Sequence, residues 1–442
     1  MNSHPPKILL YGSLPPPFTG QSAMFVPVVG MFPKEEILLI NITRFQSTFG
    51  NTVYTMLATC WFFLVYRFKT VYFTPSRSMT GFVKDIPLLI LGRWCNKRMV
   101  AHLHGANFRS FYENSGMLKP FIRYGYRHVD TGIVLLEGMR NEFGYFPNIR
   151  VQVVPNCYDR RFDIPDTIQA DTVQPDTSAS LSVRTDGQPD TVQPGTVQPG
   201  TVQADTSASL SVRSDTERSR SVRTIVHKDE RPCQVLYLSA LMRSKGILEF
   251  LEACDIVLQQ HTGVNFVIAG LPEPDPFMSR QEIAARFQEQ LGCLEKRHPG
   301  RIAYLGQVVT GQHNPATRES TMQEKGISRD KIWLMRDSSI FVLPTWHPSE
   351  ALPVSILEAM RTGNAIIATR HNFLPGIVKP ANGILVEPRS GRAIADAILT
   401  LVSDKERLRE IRENNIMHAT ENYSIEKYRR KMLEIIAQIS SI

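Results

Sequence analysis

The sequence predicts an α/β protein of two doubly wound, Rossmann-like domains with a low-complexity segment between them. Three observations carry that prediction. Short apolar runs of strand length alternate with helical stretches over the first half; the same alternation starts afresh at Val235; and the stretch separating the halves has a composition that cannot build a core. At 442 residues the chain is long enough for two sizeable cores. The expected divisions are residues 1–164, an insertion and linker at 165–228, a second domain at 229–423, and a terminal helix at 424–442 that crosses back to the first domain.

Taken in order, Ile8–Tyr11, Ile37–Ile40, Val71–Phe73, Met99–Leu103, Thr131–Leu135 and Val151–Val154 read as buried parallel strands. The loop after the first of them, from Gly12 to Ser22, is proline-rich and ends in Gly20 ahead of a helical run. Glycine there lets backbone approach a phosphate, and the helix behind it points N–H groups at the anion. Val53–Phe68 is the one apolar run that suggests a membrane segment. It is shorter than the roughly 18 residues a span needs, contains Thr55 and Thr59, and leads directly into a strand, so it reads as a buried crossover helix, with a shallowly inserted amphipathic helix as the alternative. His102 and His104 alternate in AHLHG at the carboxyl end of a strand, where open α/β sheets form ligand crevices.

From Asp166 to Thr224 the composition changes to Ser, Thr, Asp, Gln, Pro and Gly, with DTVQP and GTVQP phrases and the sequence DTSASLSVR at both 176–184 and 205–213. Such a repeat buries too little apolar area to offset its ordering entropy and reads as a flexible insertion. The second half offers strands at Val235–Leu238, Val264–Ala269, Arg301–Tyr304, Ile340–Leu343, Ala365–Thr369 and Gly383–Val386, with a second insertion at Gln312–Asp330. Ile425–Ile439 is an amphipathic helix with a basic polar face.

Six cysteines, Cys60, Cys95, Cys157, Cys233, Cys254 and Cys293, form neither a CxxC pair nor a zinc-spaced cluster, which predicts reduced core thiols and no metal site. The N-terminal MNSHPPKILLYG lacks the basic and long apolar regions of a signal peptide, so the chain is expected to be cytoplasmic. Residues 1–164 hold 18 Lys and Arg against 9 Asp and Glu, net +9, which leaves −1 for the remainder of a chain whose total is +8. Basic residues from Arg67 to Arg127 interleave with Trp94, Phe121, Tyr124 and Tyr126. That pattern suits an anionic membrane surface or a lipid-diphosphate acceptor, or else an ordinary solvated face. Nucleic acid is not indicated, because no helix-turn-helix, zinc-finger or RNA-module pattern occurs.

The densest signal is Thr345–Ile367, TWHPSEALPVSILEAMRTGNAII. Pro353, Ile356, Leu357 and Met360 fall on one helix face, with Pro353 suited to the first turn and Gly363 to the end. Glu350 then lies in the loop before the helix and Glu358 on its second turn. A helix N-terminus favours an anion by about 0.3–1 kcal/mol, so a diphosphate suits the point where the loop meets Pro353. The two carboxylates then accept hydroxyls of a sugar and a ribose; the plain alternative is a helix whose Glu358 bonds a neighbouring backbone group or cation.

These phrases, with KILLYGSLPPPFTGQS, VLLEGMRNEF, VVPN, SALMRSKG and ANGILVEP, resemble in order the retaining glycosyltransferases of family 4, nearest to enzymes of exopolysaccharide and lipopolysaccharide assembly. The resemblance implies the GT-B fold, with two domains facing across a cleft. It implies transfer of a hexosyl group from a nucleotide-sugar, UDP- or GDP-linked, to a hydroxyl of a glycan or lipid-linked glycan. Glu350 and His104 are the implied catalytic positions; Gly20, Lys245, Arg243, Ala351, Leu352, Glu358 and Val308 are the implied donor-binding ones. Ser239 and Ala240 replace the family's Gly-Arg, so one expected phosphate cation is missing; Arg243 substitutes, or the site leans on Lys245 and the helix dipole. No Asp-x-Asp occurs and no metal or other cofactor is expected. Two alternatives share the scaffold: a sugar-nucleotide epimerase, and a non-catalytic nucleotide-sugar binder.

Overall fold

The computed structural model describes residues 7–16, 19–45, 47–163, 233–308 and 330–440. The repeat read at 166–224 and the second insertion, except for Asp330, lie outside them. The first sheet is formed by β1 (Lys7–Gly12), β2 (Ile37–Asn41), β3 (Phe68–Phe73), β4 (Arg98–His102), β5 (Thr131–Val134) and β6 (Arg150–Val153). All are parallel, in the order β2-β1-β3-β4-β5-β6. The second contains β7 (Cys233–Leu238), β8 (Val264–Ala269), β9 (Ile302–Tyr304), β10 (Ile340–Leu343), β11 (Ala365–Thr369) and β12 (Gly383–Val386). It too is parallel, in the order β12-β11-β10-β7-β8-β9. Each order reverses direction once, beside β1 in the first sheet and between β7 and β10 in the second. At such a reversal the loops leave the strand ends to opposite sides and open a crevice.

Helices α1 (Gly20–Val29), α2 (Thr48–Val65), α3 (Met79–Trp94), α4 (Phe108–Glu113) and α5 (Lys119–Tyr126) accompany the first sheet. Helices α6 (Ile247–Gln260), α7 (Arg280–Arg297), α8 (Lys331–Asp337), α9 (Val354–Arg361), α10 (Leu374–Ile377), α11 (Gly391–Ser403) and α12 (Lys405–Tyr423) accompany the second. Local chemistry starts several of them. Thr19 caps α1 reciprocally with Ser22, Ser279 caps α7 with Glu282, and Asp330 accepts from the backbone N–H groups of Ile332 and Trp333 to begin α8. The last helix, α13 (Ile425–Ser440), buries Tyr428, Met432, Ile435 and Ile436 against Leu10, Met24 and Tyr72 of the first sheet and α1.

Two expectations are corrected. Cys60, Cys95 and Cys293, expected among core thiols, are exposed, and only Cys157 and Cys254 are buried. The apolar helix read as buried is a crossover from β2 to β3, but it lies on the outside. Only Thr55 and Thr59 are buried, while Phe49, Leu57, Trp61 and Leu64 are 79%, 66%, 59% and 83% exposed. The inward threonines are small, and Thr59 Oγ1 satisfies itself on the Thr55 carbonyl oxygen at 2.7 Å, so this face meets the domain with little bulk.

The two sheets meet through the loops at their carboxyl ends. Ala106 N–H, after β4, donates to the Ser349 carbonyl, after β10, at 3.3 Å. Asn156 Nδ2, after β6, donates to the Leu352 carbonyl at 2.8 Å, and Arg361 Nε donates to Asp163 at 3.1 Å.

Candidate active site

The turn after β7 and the loop after β10 are locked together by backbone. Trp346 N–H donates to the Ser244 carbonyl at 2.8 Å, and Ser244 N–H donates to Asp275 Oδ2 at 2.7 Å. Gly246 has φ +77°, and a Cβ there would sit 2.3 Å from the Pro344 carbonyl oxygen, so only glycine lets the turn approach the end of β10 this closely. The lock delivers Lys245 to Glu350, with Nζ 2.5 Å from Oε2 and side chains only 19% and 11% exposed. Thr345 Oγ1 donates to the same carboxylate oxygen at 3.2 Å. Burial pushes Glu350 up, but the Lys245 ammonium outweighs it and holds the carboxyl below its ordinary value.

Glu358, on the second turn of α9, is 5% exposed and is held by Lys331 Nζ of α8 at 2.5 Å. Here burial wins, and its pKa is raised despite the lysine. Ala351 and Leu352 are buried in the loop between the two glutamates, and Leu352 supplies the carbonyl that Asn156 bonds. Val308, after β9, is half-buried against the large core cluster.

Arg243 is not directed as a free cation. Its Nη1 donates to both carboxylate oxygens of Glu249, at 2.6 and 2.7 Å, and its guanidinium lies over the Trp346 ring, as does that of Arg389. Gly20 is the first residue of α1 and is exposed, with nothing within 4 Å of an ideal Cβ. It belongs to the crevice of the first sheet, beside Gln21, whose Nε2 donates to Thr74 Oγ1 after β3 at 3.0 Å.

His104 sits two residues before the Ala106–Ser349 contact. Its ring lies against that of His102, tilted by 33° with centroids 4.0 Å apart, and His102 Nδ1 is 2.6 Å from the Tyr72 hydroxyl. Both His104 ring nitrogens are buried without a hydrogen-bond partner among the described residues. Burial and the nearby Arg77 push its pKa down to about 3, against a weaker opposing pull from Asn156, whose side chain lies close by without reaching full hydrogen-bond geometry. The imidazole is therefore neutral near pH 7 and serves as a hydrogen-bonding group more readily than as a proton acceptor.

Three residues on this surface escape a reading of motifs. Arg77, from the loop after β3, donates to Asn107 Oδ1 at 2.8 Å, and no carboxylate among the described residues lies within ion-pair distance of it. Gly105 makes room for it, since a Cβ at that position would overlap Arg77 Nη1 at 1.4 Å. His347 is depressed by burial and by Lys245, with Arg77 acting in the same direction, which puts the first domain's cation within electrostatic reach of the second domain's loop. Lys331, the partner of Glu358, comes directly after the second insertion. Arg77 follows a strand whose end marks the topological reversal, which is the one signal that pointed to its loop.

Residues 232–404 match the sequence family described as Glycosyl transferases group 1. Among curated proteins, the chain is 22% identical over 215 residues to an N,N'-diacetylbacillosaminyl-diphospho-undecaprenol alpha-1,3-N-acetylgalactosaminyltransferase of Campylobacter jejuni, covering 48% of this chain and 47% of that protein. It is 39% identical over 90 residues to a probable sucrose-phosphate synthase 1 of Oryza sativa subsp. indica, covering 20% of this chain and 8% of that one. The matches thus span less than half the length of these relatives. Among solved structures, a glycosyltransferase from Rickettsia africae superposes with TM-score 0.58 at 16% identity, covering 99% of both chains. Anabaena Alr3699/HepE in complex with UDP-glucose gives 0.62 at 13%, over 98% of this chain and 99% of that one. Sucrose-phosphate synthase from Thermosynechococcus elongatus gives 0.61 at 14%, over 99% of both. These likenesses establish the GT-B architecture, and the family match makes residues 232–404 a glycosyltransferase domain of group 1 type.

Proposed function

We propose that the protein is a retaining, metal-independent glycosyltransferase of family 4. It moves a hexosyl group from a nucleotide-sugar to a hydroxyl of a glycan or lipid-linked glycan, in cell-surface polysaccharide synthesis at the inner face of the plasma membrane. The observation that supports this best is the half-buried Lys245–Glu350 pair, whose Glu350 directly follows Ser349, the residue bonded by Ala106 two positions after His104 of the other domain. In this reading residues 1–164 bind the acceptor and 229–423 the donor, with 424–442 bracing the two.

Departure of a nucleoside diphosphate leaves an oxocarbenium-like carbon, so stabilising the leaving phosphate is where fixed charge helps most. Lys245 exchanges Glu350 for the diphosphate, with the first-turn N–H groups of α9 and the Gly20 loop completing the anion site. Released Glu350 then accepts hydroxyls of the donor sugar. Glu358 exchanges Lys331 for the ribose hydroxyls, and the Ala351–Leu352 and Val308 backbone meets the nucleotide. Neutral His104 hydrogen-bonds the sugar or the acceptor hydroxyl. The Campylobacter relative, whose name describes a diphospho-undecaprenol acceptor, supports a lipid-linked one here. A non-catalytic nucleotide-sugar binder is the second reading, favoured by Ala240 at a cation position and by Glu249 engaging Arg243.

The test is thermal unfolding with UDP, GDP, ADP and their sugar conjugates in EDTA, for wild type and Glu358→Gln. At about a hundred times its dissociation constant a ligand adds roughly 2.7 kcal/mol of stability. One nucleotide should raise the midpoint of wild type alone, followed by transfer to an acceptor. Stabilisation without transfer selects the non-catalytic reading, and isomerised sugar without acceptor selects an epimerase. No stabilisation by any nucleotide, with both proteins unfolding cooperatively, overturns the donor site itself.

A further inference from the structure

The outer face of α2 is apolar where a soluble helix is ordinarily polar. Phe49, Val53, Leu57, Trp61 and Leu64 recur at intervals of three and four residues, so they form one stripe, and each is at least 40% exposed. The helix contains no charged residue at all. At 1.5 Å per residue the stripe from Phe49 to Leu64 is about 24 Å long. Core formation does not explain this pattern, because the domain side of the helix is already occupied by Thr55, Thr59 and the half-buried Tyr54, Ala58 and Phe62.

The helix meets the length and apolarity of a membrane span. It cannot cross a bilayer in this fold, because both of its ends are tied to β2 and β3, parallel strands of one sheet. An apolar stripe held parallel to the domain surface instead suits the boundary between headgroups and acyl chains, with Trp61 and the 38% exposed Tyr66 at the depth aromatic rings prefer.

The surrounding charge selects the kind of membrane. Between Glu36 and Asp85 the sequence has no carboxylate, whereas Arg44, Arg67, Lys69, Arg77 and Lys84 are all basic. Arg44 lies just before α2, and Arg67 and Lys69 just after it; all three are exposed. Asp85, the first acid to follow, is fully buried and bonded to Tyr11 and Ser76, so it does not offset them at the surface. A stripe of apolar residues flanked at both ends by unopposed cations complements an anionic lipid surface better than a second copy of this basic domain, which would bring cation against cation.

We infer that α2 is a monotopic docking helix that seats the first domain on an anionic bilayer through Val53, Leu57, Trp61 and Leu64, with Arg44, Arg67 and Lys69 on the lipid headgroups. This deepens the lipid-linked acceptor reading above, since it brings the acceptor-binding domain to the surface that holds such a substrate.

The test is flotation of the full chain with vesicles of equal parts phosphatidylethanolamine and phosphatidylglycerol, and with phosphatidylcholine vesicles as the neutral control. Wild type should float with the anionic vesicles only. Leu57→Gln/Leu64→Gln should reduce the bound fraction at least about tenfold, as should Arg67→Gln/Lys69→Gln, with thermal midpoints unchanged because these side chains are exposed. Met417→Gln, an exposed apolar residue of α12, should leave flotation as in wild type. The inference fails if wild type stays unbound, if Leu57→Gln/Leu64→Gln floats equally well, or if sedimentation shows a wild-type dimer that this variant dissociates while neither floats. Nucleotide stabilisation measured on the same variants separates this failure from failure of the donor site, since α2 carries no donor-binding residue.

Discussion

Replacing Lys245 by methionine leaves Glu350 buried at 11% exposure with Thr345 as its remaining donor. A buried carboxylate stripped of its cation costs about 3–5 kcal/mol if it stays ionised. It has an escape, which is to bind a proton. From an ordinary value of 4.5, remaining neutral at pH 7 costs about 3 kcal/mol, at 1.36 kcal/mol per pH unit, and that sets the ceiling on the loss. The sign follows from linkage. In wild type the carboxyl is held below 4.5, so its contribution is present above that pH and disappears only as pH falls through the folded value. In the variant the folded value lies above 4.5, so stability declines as pH rises from 4.5 toward the new value. Urea unfolding should therefore show Lys245→Met destabilised by about 3 kcal/mol at pH 7 and by about half that at pH 5.5. Lys245→Met/Glu350→Gln should recover most of the loss at pH 7. An equal loss at both pH values, or a double variant as unstable as the single one, would refute the claim that an uncompensated Glu350 is the cause.

Two further outcomes follow from the same surface. Gly246→Ala forces a Cβ to within 2.3 Å of the Pro344 carbonyl at φ +77°, so the turn must shift; a loss of about 1–3 kcal/mol of unfolding free energy in urea titration is expected, with weakened nucleotide stabilisation because Lys245 moves with it. His104, held near 3 against an ordinary 6.5, makes the unfolded state the better proton acceptor; its stability contribution is present above 6.5 and is lost as pH falls through that value toward 3. Between pH 8 and pH 5 this removes about 2 kcal/mol, so His104→Asn should narrow its stability gap to wild type, or overtake it, by that amount in paired denaturation series at the two pH values.

The strands were legible because parallel strands covered on both faces read as short, nearly continuous apolar runs. Val264–Ala269, Ile340–Leu343, Ala365–Thr369 and Gly383–Val386 coincide with the observed bounds. The location of Glu350 before a helix, and of Glu358 within it, was legible for a similar reason, since the apolar face and Pro353 fix the start of α9. What neither residue carried in the sequence was its partner. Lys245 and Glu350 are 105 positions apart and meet only because Gly246 lets the turn after β7 touch the end of β10. Arg243 and Lys245 are equivalent on paper, and geometry separates them by giving one to Glu249 and the other to Glu350. The outer helix is where the sequence expectation fails, because apolar composition is not burial. Composition records how much apolar surface a helix has, whereas burial depends on which face meets the sheet, and in α2 that face holds the threonines.

Both motif glutamates face a lysine, and this has a consequence for how such a cleft exists without a ligand. Two buried carboxylates with no cation would each cost several kcal/mol, and two lysines with no anion would cost the same. Pairing them as Lys245–Glu350 and Lys331–Glu358 satisfies all four groups. A nucleotide-sugar offers the complementary split: anionic phosphates for an ammonium and neutral hydroxyls for a carboxylate. On the function proposed, binding therefore breaks no pair without supplying a substitute for each member. A free nucleotide lacks the donor sugar, so it satisfies Lys245 while leaving Glu350 with only Thr345. The sugar conjugate should thus stabilise the protein more than the bare diphosphate, and Glu350→Gln should reverse that order by relieving the carboxylate that the bare diphosphate strands. A diphosphate that stabilises wild type as well as its sugar conjugate would show that Glu350 does not meet the transferred sugar.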